Sequence, residues 1–200
     1  MFGFDGLPES LIRTESGGNF GARNNVAGAG GVGHFGRGQF SHARLTDAMN
    51  AGVIPRGTTP DQFLANPGMQ EAVERWHVSD IGRRIQEAGL DRFVGQTING
   101  TQVTPEGMLA VAHLGGFGGL RRFLESGGQY NPADAFGTSL QNYLGTHGGG
   151  RSGGMGQNAL AGQMTPQMRP DDRRAQMNAL ASMMPRYETP EINAFRIERV

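Results

Sequence analysis

Glu15 is the residue best suited to chemistry. It closes a short amphipathic segment, Leu7-Pro8-Glu9-Ser10-Leu11-Ile12-Arg13-Thr14-Glu15, and is followed by Ser16-Gly17-Gly18-Asn19. In a helix, Leu11 and Ile12 lie four and three positions before Glu15, and Leu7 lies eight before it, so the carboxyl falls on the apolar stripe at the helix C-terminus. Burial and the negative end of the helix dipole both disfavour the charged form, which suits a general acid working near neutral pH. The competing reading is an exposed last-turn acid ahead of a glycine cap.

Three further segments carry chemistry-bearing residues. Gly33-His34-Phe35-Gly36-Arg37-Gly38-Gln39-Phe40 has glycines three apart and then a Gln. That pattern lets a loop run close to a ligand and aims one amide at it. No strand precedes it and no Lys-Ser/Thr follows, which argues against a phosphate-cradling loop. Ala112-His113-Leu114-Gly115-Gly116 ends an apolar helical segment. Glu125-Ser126-Gly127-Gly128 echoes the first motif, but Arg121 and Arg122 lie within a turn of Glu125, so an ion pair on a solvated face is expected there. The five histidines (His34, His42, His77, His113, His147) show no metal-ligand spacing, so no metal and no cofactor are expected.

The elements that position these residues can be read from periodicity and punctuation. Helices are expected from about Pro8 to Glu15, from Gln39 to before Gly52 with Phe40, Ala43 and Ala48 inward, and from Thr59-Pro60-Asp61 to Asn66-Pro67. The longest should run from Met69 to Ala88, with Met69, Ala72, Val73, Trp76, Ile81 and Ile85 on its inner stripe and Gly89 as its cap. Asn99-Gly100 signals a short hairpin within residues 94–103. Thr104-Pro105-Glu106 opens a fifth helix, and a further stretch, Leu120 to Leu124, follows a glycine break.

Composition sets the outer limits. Thirty-four of 200 residues are glycine, more than twice the usual share of roughly 7%, which predicts a small core and long connections. Eighteen basic residues, all Arg, balance eighteen acids, so no basic field favours nucleic acid. There is no cysteine, hence no disulfide and no thiolate chemistry. No apolar run reaches the ~20 residues of a membrane helix. Met1 to Pro8 has neither the basic start nor the apolar run of a secretory signal.

Three divisions follow: a domain over residues 1–147, a Gly-rich linker over 148–158, and a Met/Gln-rich tail over 159–200. In the tail, Leu160, Met164 and Met168 recur every four residues, and Met177, Leu180, Ala181 and Met184 follow a helical pattern. Such adaptable Met stripes on short helices are expected to dock on another chain.

Taken together, Glu15-Ser16-Gly17-Gly18-Asn19, the Gly33 to Phe40 octapeptide and Ala112 to Gly116 resemble, in order, the three motifs of the soluble-lytic-transglycosylase type of lysozyme-like domain. The resemblance spans roughly residues 7–125. Glu15 and Ser16 match the first motif; Gly33, Gly36 and Gln39 match the Gly-x-x-Gly-x-x-Gln second motif. Ala112 and Gly116 match the third, where His113 and Leu114 stand in place of the family's Tyr and Asn.

The resemblance implies a mainly α, lysozyme-like α+β fold with at most one short hairpin. It implies cleavage of the β-1,4 bond between N-acetylmuramic acid and N-acetylglucosamine in peptidoglycan, with Glu15 catalytic. Ser16, Gly33, Phe35, Gly36, Gln39 and His113 would contact or support substrate, His113 in place of the Tyr that touches the catalytic Glu. Similar domains look like those of bacterial-virus structural and ejection proteins, which implies a virion location, other virion proteins as partners of the tail, and action in the cell wall. The alternative is a virion assembly protein whose lysozyme-like fold has lost activity.

No Asp or Glu lies between Glu15 and Asp47, although a hydrolytic glycosidase usually places a second carboxylate ~5–9.5 Å from the acid. A single-carboxylate mechanism ending in a 1,6-anhydromuramyl product is therefore expected. Asp47, Asp61 or Glu106 folding into range would permit hydrolysis instead.

Overall fold

The computed structural model describes residues 5–24, 33–133 and 137–148. They are mainly helical, 57% helix and 9% strand, with a small sheet. Helix α1 (Glu9–Ser16) starts after Pro8 and stops at Gly17, whose left-handed conformation returns its N–H to the Arg13 carbonyl. Strands β1 (Arg23–Asn24), β2 (His34–Phe35) and β3 (Phe40–Ser41) form an antiparallel sheet in sequence order, and helix α2 (His42–Asn50) leaves it with Ser41 as N-cap. This sheet was not expected from the sequence: each strand has only two residues, too few for a period-2 signal. Consequently Phe40 is a strand residue, and Leu45 with Ala48, not Ala43, faces inward from α2.

Helix α3 (Pro60–Leu64) opens on a full capping box between Thr59 and Gln62. Asn66 then caps the long α4 (Pro67–Glu87). A short 3-10 turn, Leu90–Phe93, leads to the hairpin of β4 (Thr97–Ile98) and β5 (Thr101–Gln102), turned at Asn99-Gly100 with both residues at positive φ as expected. Helix α5 (Pro105–Glu125) is capped by Thr104 and kinked at Gly116, where φ is 68° and ψ 170°. The expected glycine break is therefore real. Past it, Arg121 pairs with Glu125 on an exposed face, as the spacing suggests.

Helix α6 (Leu140–His147) has no counterpart in the sequence reading. Its apolar residues Leu140, Tyr143 and Leu144 do fit helical spacing, and Ser139 with Asn142 forms its capping box. It packs mainly along α5, close enough that a Cβ on Gly107 would lie 2.7 Å from Leu144 Cδ1, and one on Gly115 2.8 Å from Leu140 Cδ2. Its other side meets α1, where His147 Nδ1 lies 3.2 Å from Ser10 Oγ. One cluster of buried side chains links Leu11 and Ile12 of α1, Phe63, the inner faces of α4 and α5, and Leu140 and Leu144 of α6. Residue 148 is the last described, so the expected linker beyond it and the tail over 159–200 lie outside the described residues.

The β2–β3 loop shows how tightly this fold is closed. Gly36 has φ of 76°, and a Cβ there would lie 2.7 Å from Cδ of the buried Gln70. Gly52 has a similar φ of 73° but open space around it. We expect Gly52→Ala to cost about 1 kcal/mol for left-handed strain alone. Gly36→Ala should cost about 3 kcal/mol, because overpacking adds to the strain. Denaturant titration of both variants would measure the difference.

Candidate functional site

The C-terminal turn of α1 places Glu15 where the sequence predicts. Leu11 and Ile12 are anchored in the core, and the Glu15 side chain is 16% exposed. Tyr143, from α6, donates its hydroxyl to Glu15 Oε1 at 3.0 Å. His113 Nε2, from α5 just before the kink, stands 3.8 Å from the same oxygen. Three helices distant in sequence thus converge on one carboxyl. Ser16 serves a different purpose: its hydroxyl donates to the Arg37 carbonyl at 2.7 Å and accepts from Gly18 N–H at 3.1 Å. It ties the end of α1 to the β2–β3 loop, which fixes the acid against the second motif.

That loop is a tight turn between paired Phe35 and Phe40. Gly36 and Gln39 both take positive φ. The Gln39 amide does not aim outward as expected. Its Nε2 donates to the Gly36 carbonyl at 2.8 Å and reaches the Ala22 carbonyl at 3.4 Å, closing its own loop. A glutamine held at φ 47° is best stabilised by such a local bond. Phe35 is also turned away from the role expected of it. It is 4% exposed, with the Arg23 guanidinium 5.4 Å from its ring centre, so it offers no face for a sugar. Gly33 and Gly36 are buried as well, shaping the loop from within.

The residues holding the loop from behind come from α4. Gln70 accepts from Arg37 N–H at 2.8 Å and donates to the Phe20 and Phe63 carbonyls at 2.9 and 3.1 Å. Glu74 takes Arg37 in a forked pair at 3.1 and 2.8 Å. His77 follows on the same face and lies 3.3 Å, Nε2 to Nδ1, from His113. Gln70, Glu74 and His77 share the buried stripe with Val73 and Ile81. Their spacing was legible in the sequence, but polar residues at core positions are discounted when an apolar stripe is sought. Met69 and Trp76 pack at the core margin, Trp76 beneath the Arg44 guanidinium at 3.9 Å.

A cavity of about 330 Å³ is lined by His34, Gln39, Arg44, His77, His113 and Phe117 among others; it reaches His113 but is not lined by Glu15. Asp47 also lines it and pairs with Arg44 at 3.5 Å. Asp61 pairs with Arg23, and Glu106 lies in the first turn of α5. Burial pushes the His113 imidazole down to about 4, opposed by a hydrogen bond to the Gly38 backbone. Burial, His113 and the Arg44 charge hold His77 well below the usual imidazole range. Both rings are therefore neutral at pH 7. Among the described residues no group of three or more His, Cys, Asp or Glu is arranged to hold a metal ion.

Comparison with protein-family models, with curated proteins and with solved structures finds no match. The functional reading therefore rests on the site itself.

The neutral histidines make stability depend on pH. An ordinary imidazole takes a proton near 6.5, and His113 in the folded protein only near 4. Between these values the unfolded chain binds a proton that the folded chain does not, so stability is full above 6.5 and falls as pH drops towards 4. The gap is worth about 3 kcal/mol for His113, and His77 acts in the same direction. Denaturant titrations from pH 7 to pH 4 should show wild type losing about 3 kcal/mol more than His113→Gln.

Proposed function

We propose that this protein is a peptidoglycan lytic transglycosylase with Glu15 as its only catalytic carboxyl. The observation that carries the reading is the convergence of Tyr143 and His113 on Glu15 Oε1, at 3.0 and 3.8 Å, on a side chain that is only partly exposed. Surface acids at helix ends are rarely given such an enclosure, whereas a general acid needs one to control its protonation.

In this reading the protonated Glu15 carboxyl gives its proton to the glycosidic oxygen as the C1–O bond breaks. The acetamido oxygen of the same muramyl residue attacks C1 and balances the developing positive charge. Glu15, now a carboxylate, takes the proton from the 6-hydroxyl, whose oxygen displaces the acetamido group. The product is a 1,6-anhydromuramyl end, and Glu15 is reprotonated for the next cycle. Tyr143 steadies the carboxylate in the second half. The proposed fold relationship is to lysozyme-like domains. The proposed setting is a bacterial-virus particle that carries the protein to the cell wall, with residues 159–200 docking on another virion protein.

A second reading is an assembly protein of the particle, built on a lysozyme-like fold but inactive. Its support is specific: Gln39 is spent on its own loop and Phe35 is buried, so two expected substrate contacts face inward.

Digestion of purified sacculi, with mass analysis of the released fragments, separates the two. Wild type should release anhydromuramyl ends, and Glu15→Gln should lose activity by about 100-fold or more. Release of reducing ends would show hydrolysis instead, and no release would favour the assembly role. Tyr143→Phe should retain the anhydro product but slow its release about tenfold, the worth of one hydrogen bond to a charged group. Absence of the protein from purified particles would overturn the proposed location.

A further inference from the structure

We propose that Asp80, Arg44, His77 and His113 form a one-directional hydrogen-bond chain that holds an imidazole N–H towards Glu15, making Arg44 and His77 positioning residues for the acid. The functional meaning rests on Glu15 being the reacting group; the direction of the chain does not.

The direction follows from what each group can do. A guanidinium only donates. Arg44 Nε lies 2.8 Å from His77 Nδ1, so Nδ1 must accept. A neutral imidazole has one N–H, which in His77 is therefore on Nε2. That N–H faces His113 Nδ1 at 3.3 Å and makes it an acceptor in turn. The remaining proton of His113 is then on Nε2, the nitrogen 3.8 Å from Glu15 Oε1. The two rings stand almost perpendicular, at 87°, and the Phe40 ring packs edge-on against both.

The first link is immobilised. Arg44 is bound to Asp80 at 2.8 Å and stacked over Trp76, and Asp80 is also gripped by Arg83 at 2.7 Å. A permanent cation therefore sets the polarity of the chain, and neither ring can reverse alone. The Gly38 backbone, which accepts from His113, favours a charged ring, while burial and the neighbouring His34, Arg44 and His147 keep it uncharged.

The consequence lies at Glu15. At 3.8 Å the His113 N–H is just beyond hydrogen-bond length from the carboxyl. Once Glu15 has lost its proton, the negative oxygen competes with the Gly38 backbone for that single N–H and draws it in. A histidine free to choose its tautomer would present a bare nitrogen part of the time and repel the carboxylate.

Long-range 1H–15N spectra of the full chain at pH 7, with the Glu15 carboxyl titration followed by 13C, test this on wild type, His77→Gln and His77→Leu. Wild type should show bare Nδ1 and protonated Nε2 in both rings. His77→Gln, which can accept from Arg44 and donate to His113, should leave His113 unchanged. His77→Leu should give His113 a mixture of tautomers and raise the Glu15 midpoint by roughly half a pH unit, at no change in net charge. A wild-type ring protonated on Nδ1, or doubly protonated, would overturn the chain, and this holds even if the Leu variant fails to fold. The same His113 tautomer and the same Glu15 titration in all three proteins would overturn it too. If the spectra agree but sacculi are untouched, the chain stands and the transglycosylase reading falls.

Discussion

Buried polar groups on α4 impose the constraint on which the rest of the site depends. Gln70 and Glu74 are almost fully enclosed, and an unsatisfied amide or carboxylate there would cost several kcal/mol or more. Each is satisfied by the backbone or side chain of Arg37, and Gln70 also by the Phe20, Phe63 and Leu64 carbonyls. The demand runs both ways. The β2–β3 loop, too short and glycine-rich to hold a shape alone, is fixed by the side chains it satisfies. Ser16 then hangs the end of α1 from that loop. Among the described residues no buried side-chain polar atom is left without a partner, so the network is closed, and a closed network rigidifies what it touches.

The same helix face supplies two kinds of support. Its first half braces the loop through ionic and amide bonds. Its second half, at His77, braces the far side of the acid through neutral imidazoles. Partners divide them: the buried Glu74 is paired with the Arg37 guanidinium, whereas burial and the nearby Arg44 charge keep His77 and His113 uncharged. The enclosure of Glu15 is thus neutral on the histidine side and hydroxylic on the Tyr143 side.

Much of this was legible in the sequence where a single element carried the signal. The apolar spacing of Leu7, Leu11 and Ile12 located Glu15 on α1, the capping residues marked the starts of α3 and α5, and Asn99-Gly100 marked the hairpin; Asn66-Pro67, expected to end α3, instead opens α4. What escaped depends on contacts between distant segments. The two-residue strands exist because Arg23–Asn24, His34–Phe35 and Phe40–Ser41 are brought together, not because their residues favour extension. Gln39 looked like an outward-facing ligand group because its bond to Gly36 needs a positive φ that the sequence does not announce for glutamine. Tyr143 sat in a short segment without a strong apolar run, so neither α6 nor its hydroxyl could be assigned to the acid. His113 itself was visible as a candidate neighbour of the acid. Its connection through His77 to Arg44 was not.

The bond between Tyr143 and Glu15 joins residues 128 apart, and the one between His147 and Ser10 joins residues 137 apart. Both ends of the described chain therefore meet at the carboxyl, and the acid cannot acquire its hydroxyl donor until α6 has been synthesised and docked against α1 and α5. Helix α1, made first, waits as an incomplete half with an unescorted carboxyl. Contacts of such separation are the slow ones in folding, because loop closure must precede their reward. Maturation of the site is thus timed by the docking of α6 rather than by the formation of α1.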